Sequence, residues 1–366
     1  MVRPPAMTFL ELQTWLIGLY PVLADEESSW YYLVLNLCLF LDFDYSVIDI
    51  FGGVGSLSQA AGSGFVFDVR RDPRHNCHEK AGLQILGDAC ARTKHHGLAL
   101  CQPTCSSFLR FVSTHTSKRT LENLYGDESM EFVATGNATA ELVATVLVPL
   151  CDWLGLYWVC ENPMNSLFFV YPSIDAVLQA LLDTVPNGQI TRTIVWLRTF
   201  GAASGKPLEL RGRWGGFVYL QEIHRRAWGP IRGRRTAPIM DRGSKWVTGN
   251  KSRLASSSAY PRAFGAALWK AHQAYLANNC NLVLSPEVMH DLHAFADDMV
   301  GNLPPEGEVA LPDWRCIKHV QTYSDALYIH MCAFYMYVCI YIYIHNHILL
   351  VIWKYIVMDA LFLPSP

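Results

Sequence analysis

Charge is scarce in this 366-residue chain: Asp, Glu, Lys and Arg supply 17% of it, against roughly 25% in an average soluble domain. With 51% hydrophobic residues, that scarcity excludes a mostly disordered polypeptide. No CxxC pair occurs, and the 11 cysteines are scattered and odd in number. This argues against a secreted disulfide framework and for reduced thiols in an intracellular setting. His75, Cys77 and His78, with Cys90 and His95 further on, fit no common zinc spacing; they read as core thiols and loop imidazoles, and no metal is expected. The N-terminus shows no apolar run leading to a small-residue cleavage site, so no secretory signal is expected. No internal repeat is visible.

Two apolar stretches stand apart. Trp30–Leu41 is apolar for 12 residues, too short to span a bilayer and suited to a buried helix. Ala326–Trp353 holds no Asp, Glu, Lys or Arg over 28 residues, long enough to cross a membrane. Its alternation of Tyr and Ile with Cys and His is unlike the Leu, Val, Ala and Gly of a spanning helix. It reads instead as a low-complexity tail of the kind that TA/TGTA-type repeat DNA yields on translation, with a membrane anchor as the alternative.

The net charge of −3 conceals an asymmetry: residues 192–262 carry 15 Lys and Arg against 3 Asp and Glu. Such a block points to an anionic partner. Ahead of it, short apolar runs alternate with helical patterns. Tyr45–Ile50, Gly64–Val69, Leu83–Leu86, Gly97–Cys101, Gly155–Cys160 and Gln189–Leu197 read as strands. Leu57–Ala61, Phe132–Leu154, Ser173–Thr184 and Pro261–Leu276 read as helices. The pattern predicts an α/β fold with a doubly wound, mainly parallel sheet. The expected divisions are a helical extension (1–44), the sheet core (45–212), a basic insertion (213–258), a closing helix (259–280), an acidic helical linker (281–325) and the tail (326–366).

In such folds ligands bind where strands end, over glycine turns. The first strand delivers Asp49, Phe51, Gly53 and Gly55; Asp68 closes the second strand, where an acid binds ribose hydroxyls; Asp88, after the presumed third, would take an adenine amino group. The fourth strand leads into Gln102-Pro103-Thr104-Cys105 and the fifth into Glu161-Asn162-Pro163, so a thiol and a carboxyl face the same edge. Methylating carbon 5 of a pyrimidine needs such a pair: a thiolate attacks C6, and an acid on N3 absorbs the developing charge.

At these residues the chain resembles the S-adenosylmethionine-dependent cytosine carbon-5 methyltransferases. "DIFGGVG" is similar to their DxFxGxG cofactor motif, "PTCSSF" to their PPCQxF nucleophile loop and "ENP" to their ENV motif, over about residues 45–200. The resemblance implies a Rossmann-like class I methyltransferase fold. It also implies a pocket for S-adenosylmethionine lined by Phe51, Gly53, Gly55, Asp68 and Asp88, with Asp49 ahead of them. Cys105 would be the nucleophile and Glu161 the N3 partner. Thr104, Ser106 and Pro163 depart from the family pattern, and Arg192 and Arg198 do not have the spacing of its QxRxR element. "LCQP" nominates Cys101 as a rival nucleophile. Cys105 is preferred because it falls in the loop rather than the strand and has Phe108 three residues later.

The substrate implied is DNA or RNA, and the compartment nuclear. Arg225, Arg226, Arg232, Arg234 and Arg235 are the candidate nucleic-acid contacts, with Trp196, Trp214, Trp228 and Trp246 as stacking surfaces. Ser117-Lys118-Arg119-Thr120 is either a second phosphate contact or an exposed helix entry. A catalytically lapsed nucleic-acid-binding module and a membrane-anchored protein are the rival functions.

Overall fold

The computed structural model describes residues 44–109, 117–184, 191–202, 206–231 and 260–303. Along them run β1 (Tyr45–Ile50), α1 (Ser56–Ala61), β2 (Gly64–Phe67), α2 (Lys80–Ala91) and β3 (Thr93–Cys101). Next come α3 (Glu131–Trp153), β4 (Tyr157–Pro163), α4 (Pro172–Thr184), β5 (Thr191–Trp196) and β6 (Pro207–Arg213). Helices α5 (Phe217–Ile231), α6 (Arg262–Ala277) and α7 (Pro286–Gly301) follow. The runs Trp30–Leu41 and Ala326–Trp353, residues 232–258 of the expected insertion with Trp246 among them, and residue 259 lie outside the described residues.

The fold is mixed α/β, with one six-stranded, mostly parallel sheet ordered β2-β1-β3-β4-β6-β5. β1 pairs in parallel with β2 and β3, and β3 with β4; β6 runs antiparallel between β4 and β5. The central strands read as near-continuous apolar runs because both their faces are covered. Ile48, Ile50, Ala99, Cys101, Trp158 and Cys160 turn to one face, where α2, α3 and α4 pack. Val47, Leu98, Leu100, Tyr157 and Val159 turn to the other, beneath α1, α5, α6 and α7. Period-two alternation along each strand thus divides one sheet between two cores.

Four segments differ from expectation. Leu83–Leu86 is not a strand: it lies in α2, where Leu83 and Leu86 fall one turn apart and Leu86, Ala89 and Cys90 are buried at helical spacing. Three apolar residues in a run of four are too few for periodicity to separate strand from helix. β6 escaped notice because Leu208 and Leu210 alternate with Glu209 and Arg211, and a central strand with a buried charge does not look central. Glu209 is 4% exposed and is held by Arg192 at 2.8 Å and Arg211 at 2.7 Å. Finally, residues 213–231 do not begin a basic insertion. Phe217, Tyr219, Leu220, Ile223 and Ala227 of α5 are fully buried core residues. Likewise α7 is no free linker, since Leu292, Ala296 and Met299 pack into the same core.

α3 meets the length and hydropathy of a membrane span, but its apolar window is 72% buried against the rest of the protein. Its middle turn, Val143–Leu147, is π-helical. Pro149 follows at the next turn, and a wider turn there relieves the clash of its ring with the preceding carbonyls.

On one face of the sheet α6 packs closely against α1. A side chain on Gly265 would overlap the Ser56 carbonyl, which belongs to the first turn of α1. Gly265→Ala should therefore destabilise the fold by about 1–3 kcal/mol through overpacking, although alanine alone gains about 1 kcal/mol of helix propensity. Urea unfolding of parent and variant measures the net loss; a variant as stable as its parent would show that the crossing relaxes freely.

Candidate active site

Between β1 and α1 the chain makes a glycine turn. Gly53 and Gly55 have φ of 54° and 64°, and Phe51 shares the left-handed region at 60°. At Gly55 a Cβ would collide with Val66, so glycine is required there for packing alone. At Gly53 a Cβ would meet only the Arg70 guanidinium, at 3.0 Å, so the opening over this glycine is occupied by the end of a flexible side chain rather than by backbone. Phe51 donates its N–H to the Phe67 carbonyl at 2.7 Å and sets its ring edge-on to Phe67.

Asp49 does not face this opening. It is fully buried, and its Oδ2 accepts the Ser58 N–H at 2.7 Å, satisfying the first turn of α1. It builds the turn rather than touching a ligand, which corrects its expected place among the cofactor contacts. Asp68 does lie at the opening. Its Oδ2 accepts the Gly53 N–H at 2.8 Å, and Arg70 forks onto both oxygens at 3.0 and 3.1 Å. Burial would raise the Asp68 carboxyl, but the bonds and charge of Arg70, with the Gly53 N–H, outweigh it and hold it below the usual range. Asp88 is displaced altogether. It sits in the last turn of α2, 3.9 Å from Arg92 and near Tyr45, at the start of β1 and so at the opposite edge of the sheet. Its placement rested on a strand that is a helix.

The ends of β3 and β4 bring the thiol and the carboxyl together. Gln102 donates its N–H to the Ile50 carbonyl at 2.9 Å, and Leu167 donates to the Phe108 carbonyl at 2.9 Å, so the loops after the two strands are tied to the sheet and to each other. Glu161 is 2% exposed, and its Oε2 accepts the Tyr260 hydroxyl. Burial pushes its carboxyl up, while the Lys206 ammonium and the Tyr260 hydrogen bond pull it down. Cys105 is partly exposed; burial raises its thiol most, Lys206 lowers it, and the Glu161 charge raises it further. Lys206 Nζ stands 5.9 Å from the Tyr260 ring centroid. Glu161 Oε1, Asn162 Oδ1 and both polar atoms of Gln102 are buried without a hydrogen-bond partner among the described residues. Cys101, the rival nucleophile, ends β3 inside the core, its thiol against that of Cys160 and raised well above the usual range by burial.

Arg119 is neither a phosphate contact nor exposed. It is fully buried and donates to the Ser107 carbonyl at 2.9 Å and to Asn137 Oδ1 at 2.8 Å, with its guanidinium 4.1 Å over the Phe108 ring. It clamps the Cys105 loop onto α3. Lys118 instead pairs with Asp127 at 2.7 Å.

The candidate nucleic-acid contacts fare differently from one another. Arg225 pairs with Glu222 and Arg226 with Asp297, each at 2.7 Å, so both carry a local counter-charge on the α5 surface rather than forming an open basic patch. Arg232, Arg234 and Arg235 lie outside the described residues. Trp214 is a core residue bonded to His272, whereas Trp196 and Trp228 pack together at 5.7 Å with Arg198 4.2 Å over Trp228.

Arg70, Lys206 and Tyr260 belong to the site and were not singled out from the sequence. A cation two residues beyond a strand-end acid is a local signal for Arg70. Lys206-Pro207 and Tyr260-Pro261 read only as element boundaries. No protein-family model matches the chain, and a search of curated proteins gives no match.

Complete burial pushes the Asp49 carboxyl up to about 6 from 3.8, against the Ser58 hydrogen bonds and the Arg71 charge. A raised acid binds its proton more tightly folded than unfolded. Its contribution is present below pH 3.8 and is lost as pH climbs through about 6, to the extent of about 3 kcal/mol. Asp49→Asn keeps an acceptor for Ser58 without the charge. The stability difference between variant and parent should therefore shift in the variant's favour between pH 4 and pH 8. Urea titrations at both pH values test this, and a pH-independent difference would refute it.

Proposed function

We propose that the chain is an S-adenosylmethionine-dependent methyltransferase acting on carbon 5 of cytosine in DNA or RNA. One observation carries this reading: a partly exposed thiol, Cys105, and a buried carboxyl, Glu161, share one bay with Lys206 and Tyr260 at the carboxyl edge of the sheet. We read the sheet, covered by helices on both faces, as doubly wound. The chain leaves β1 for β2 on one side and returns to β3 on the other, and ligands bind over such a reversal.

The residues present fit the nucleoside part of the cofactor. Over Gly53 stands only the movable end of the Arg70 side chain, and Asp68 offers ribose hydroxyls the carboxylate that Arg70 now occupies. Bound S-adenosylmethionine would supply an electrophilic methyl group. Cys105, as thiolate, would add to C6 and make C5 nucleophilic; Glu161, protonated, would hydrogen-bond N3 and take up the charge developing there; once C5 carries the methyl group, loss of the C5 proton to solvent would expel the Cys105 thiolate and restore the ring. Lys206 favours the ionised form of both groups. The target base must be unpaired or flipped to enter the bay. The unpartnered polar atoms of Gln102 and Asn162 would meet its edge.

A second reading, a nucleic-acid-binding module that has lost turnover, draws on the engagement of Asp68 by Arg70 and on the remoteness of Asp88. Labelled-methyl transfer to a panel of DNA and RNA decides between them. Cys105→Ser should abolish transfer and leave cofactor affinity intact. A substrate carrying 5-fluorocytosine should trap an adduct on the Cys105 peptide. Asp68→Ala should weaken S-adenosylhomocysteine by about 1–3 kcal/mol in calorimetry. Cofactor and nucleic-acid binding with neither transfer nor adduct would establish the lapsed module, and an adduct on Cys101 would overturn the choice of nucleophile.

A further inference from the structure

The Tyr260 hydroxyl and the Glu161 carboxylate meet across 99 residues of sequence, and Oε2 is the oxygen that accepts. Oε1 of the same carboxyl is buried and has no partner among the described residues. We propose that Tyr260 is a positioning residue for Glu161: by donating to Oε2 it leaves Oε1 to carry the carboxyl's proton and to meet the substrate. The physical reason is simple. An oxygen that already accepts an O–H gains nothing by carrying a second hydrogen aimed at the first, so protonation goes to its neighbour. The phenol is held for this by its place at the entry to α6, where its ring packs 5.7 Å from the buried ring of Phe264. The charged and titratable groups facing the pair are Lys206 ahead of β6, Cys105 after β3 and, toward the phenol, Arg70 after β2. The purpose assigned to Tyr260 rests on the methyl-transfer reading; the contact and its effect on the carboxyl do not.

A donor to the charged form of an acid lowers its pKa, so removing it raises the midpoint. The full chain, labelled with 13C at the glutamate δ-carbon, reports Glu161 as the resonance lost in Glu161→Gln. Tyr260→Phe should raise that midpoint by about one pH unit and lower kcat for methyl transfer about tenfold with cofactor affinity unchanged. An unmoved midpoint in a folded Tyr260→Phe protein would overturn the proposal. Replacement of Tyr260 by 3-fluorotyrosine, a stronger donor of nearly the same shape, should lower the midpoint and serves if the phenylalanine variant does not fold; no change there would also overturn it. A shifted midpoint in a chain that transfers no methyl group would support the positioning and reject the methyltransferase.

Discussion

Cys101, the last residue of β3, and Cys160, midway along β4, are partners in parallel register, and this pairing sets the geometry of the whole carboxyl edge. From that shared level one chain runs four residues to Cys105, and the other reaches Glu161 at the next residue. A slip of one position would turn Glu161 to the other face and exchange the two cores. The register is fixed from both sides, because the side chains of each strand alternate between two fully packed apolar layers. Lys206 reaches the same edge for a topological reason. β6 runs against its neighbours, so its beginning, not its end, lies beside the end of β4. An all-parallel sheet would have carried Lys206 to the far side.

The bay concentrates two acids and one amine in a setting with little water. Burial acts on Cys105 and Glu161 in the same direction, and each would oppose ionisation of the other. Lys206 is the cation that acts on both. The site is therefore poised to hold one negative charge more readily than two, which suits a reaction that needs a thiolate and a protonated carboxyl together.

Local runs made most of the sheet legible. Tyr45–Ile50, the apolar end of β3 and the start of β4 are largely apolar segments of central parallel strands, and the turns after them carry glycine or proline. Cys105 and Glu161 were legible for the same reason, Cys105 lying in the loop just past β3 and Glu161 in β4 directly after its apolar run. Asp88 misled because Gly87-Asp88 looks like a turn, whereas α2 passes straight through it. β6 was hidden by Glu209 and its two arginines, a charge cluster that becomes acceptable only once folded. Tyr260 and Lys206 could not be read at all: what makes them part of the site is a meeting across the fold, and neither carries a periodicity or motif that announces it.

Burial also sorts the sulfur atoms. Among the described cysteines, Cys77, Cys90, Cys101, Cys151 and Cys160 are packed into the core, and only Cys105 and Cys280 reach the surface in part. Among these seven, an alkylating reagent thus finds its targets already selected by packing. Because Cys280 lies beside Tyr157 in the loop after α6, a label there leaves the bay untouched, while a label on Cys105 fills it. Among the described cysteines, the fold in this way narrows an ordinary thiol reagent to two targets, of which Cys105 alone lies in the bay.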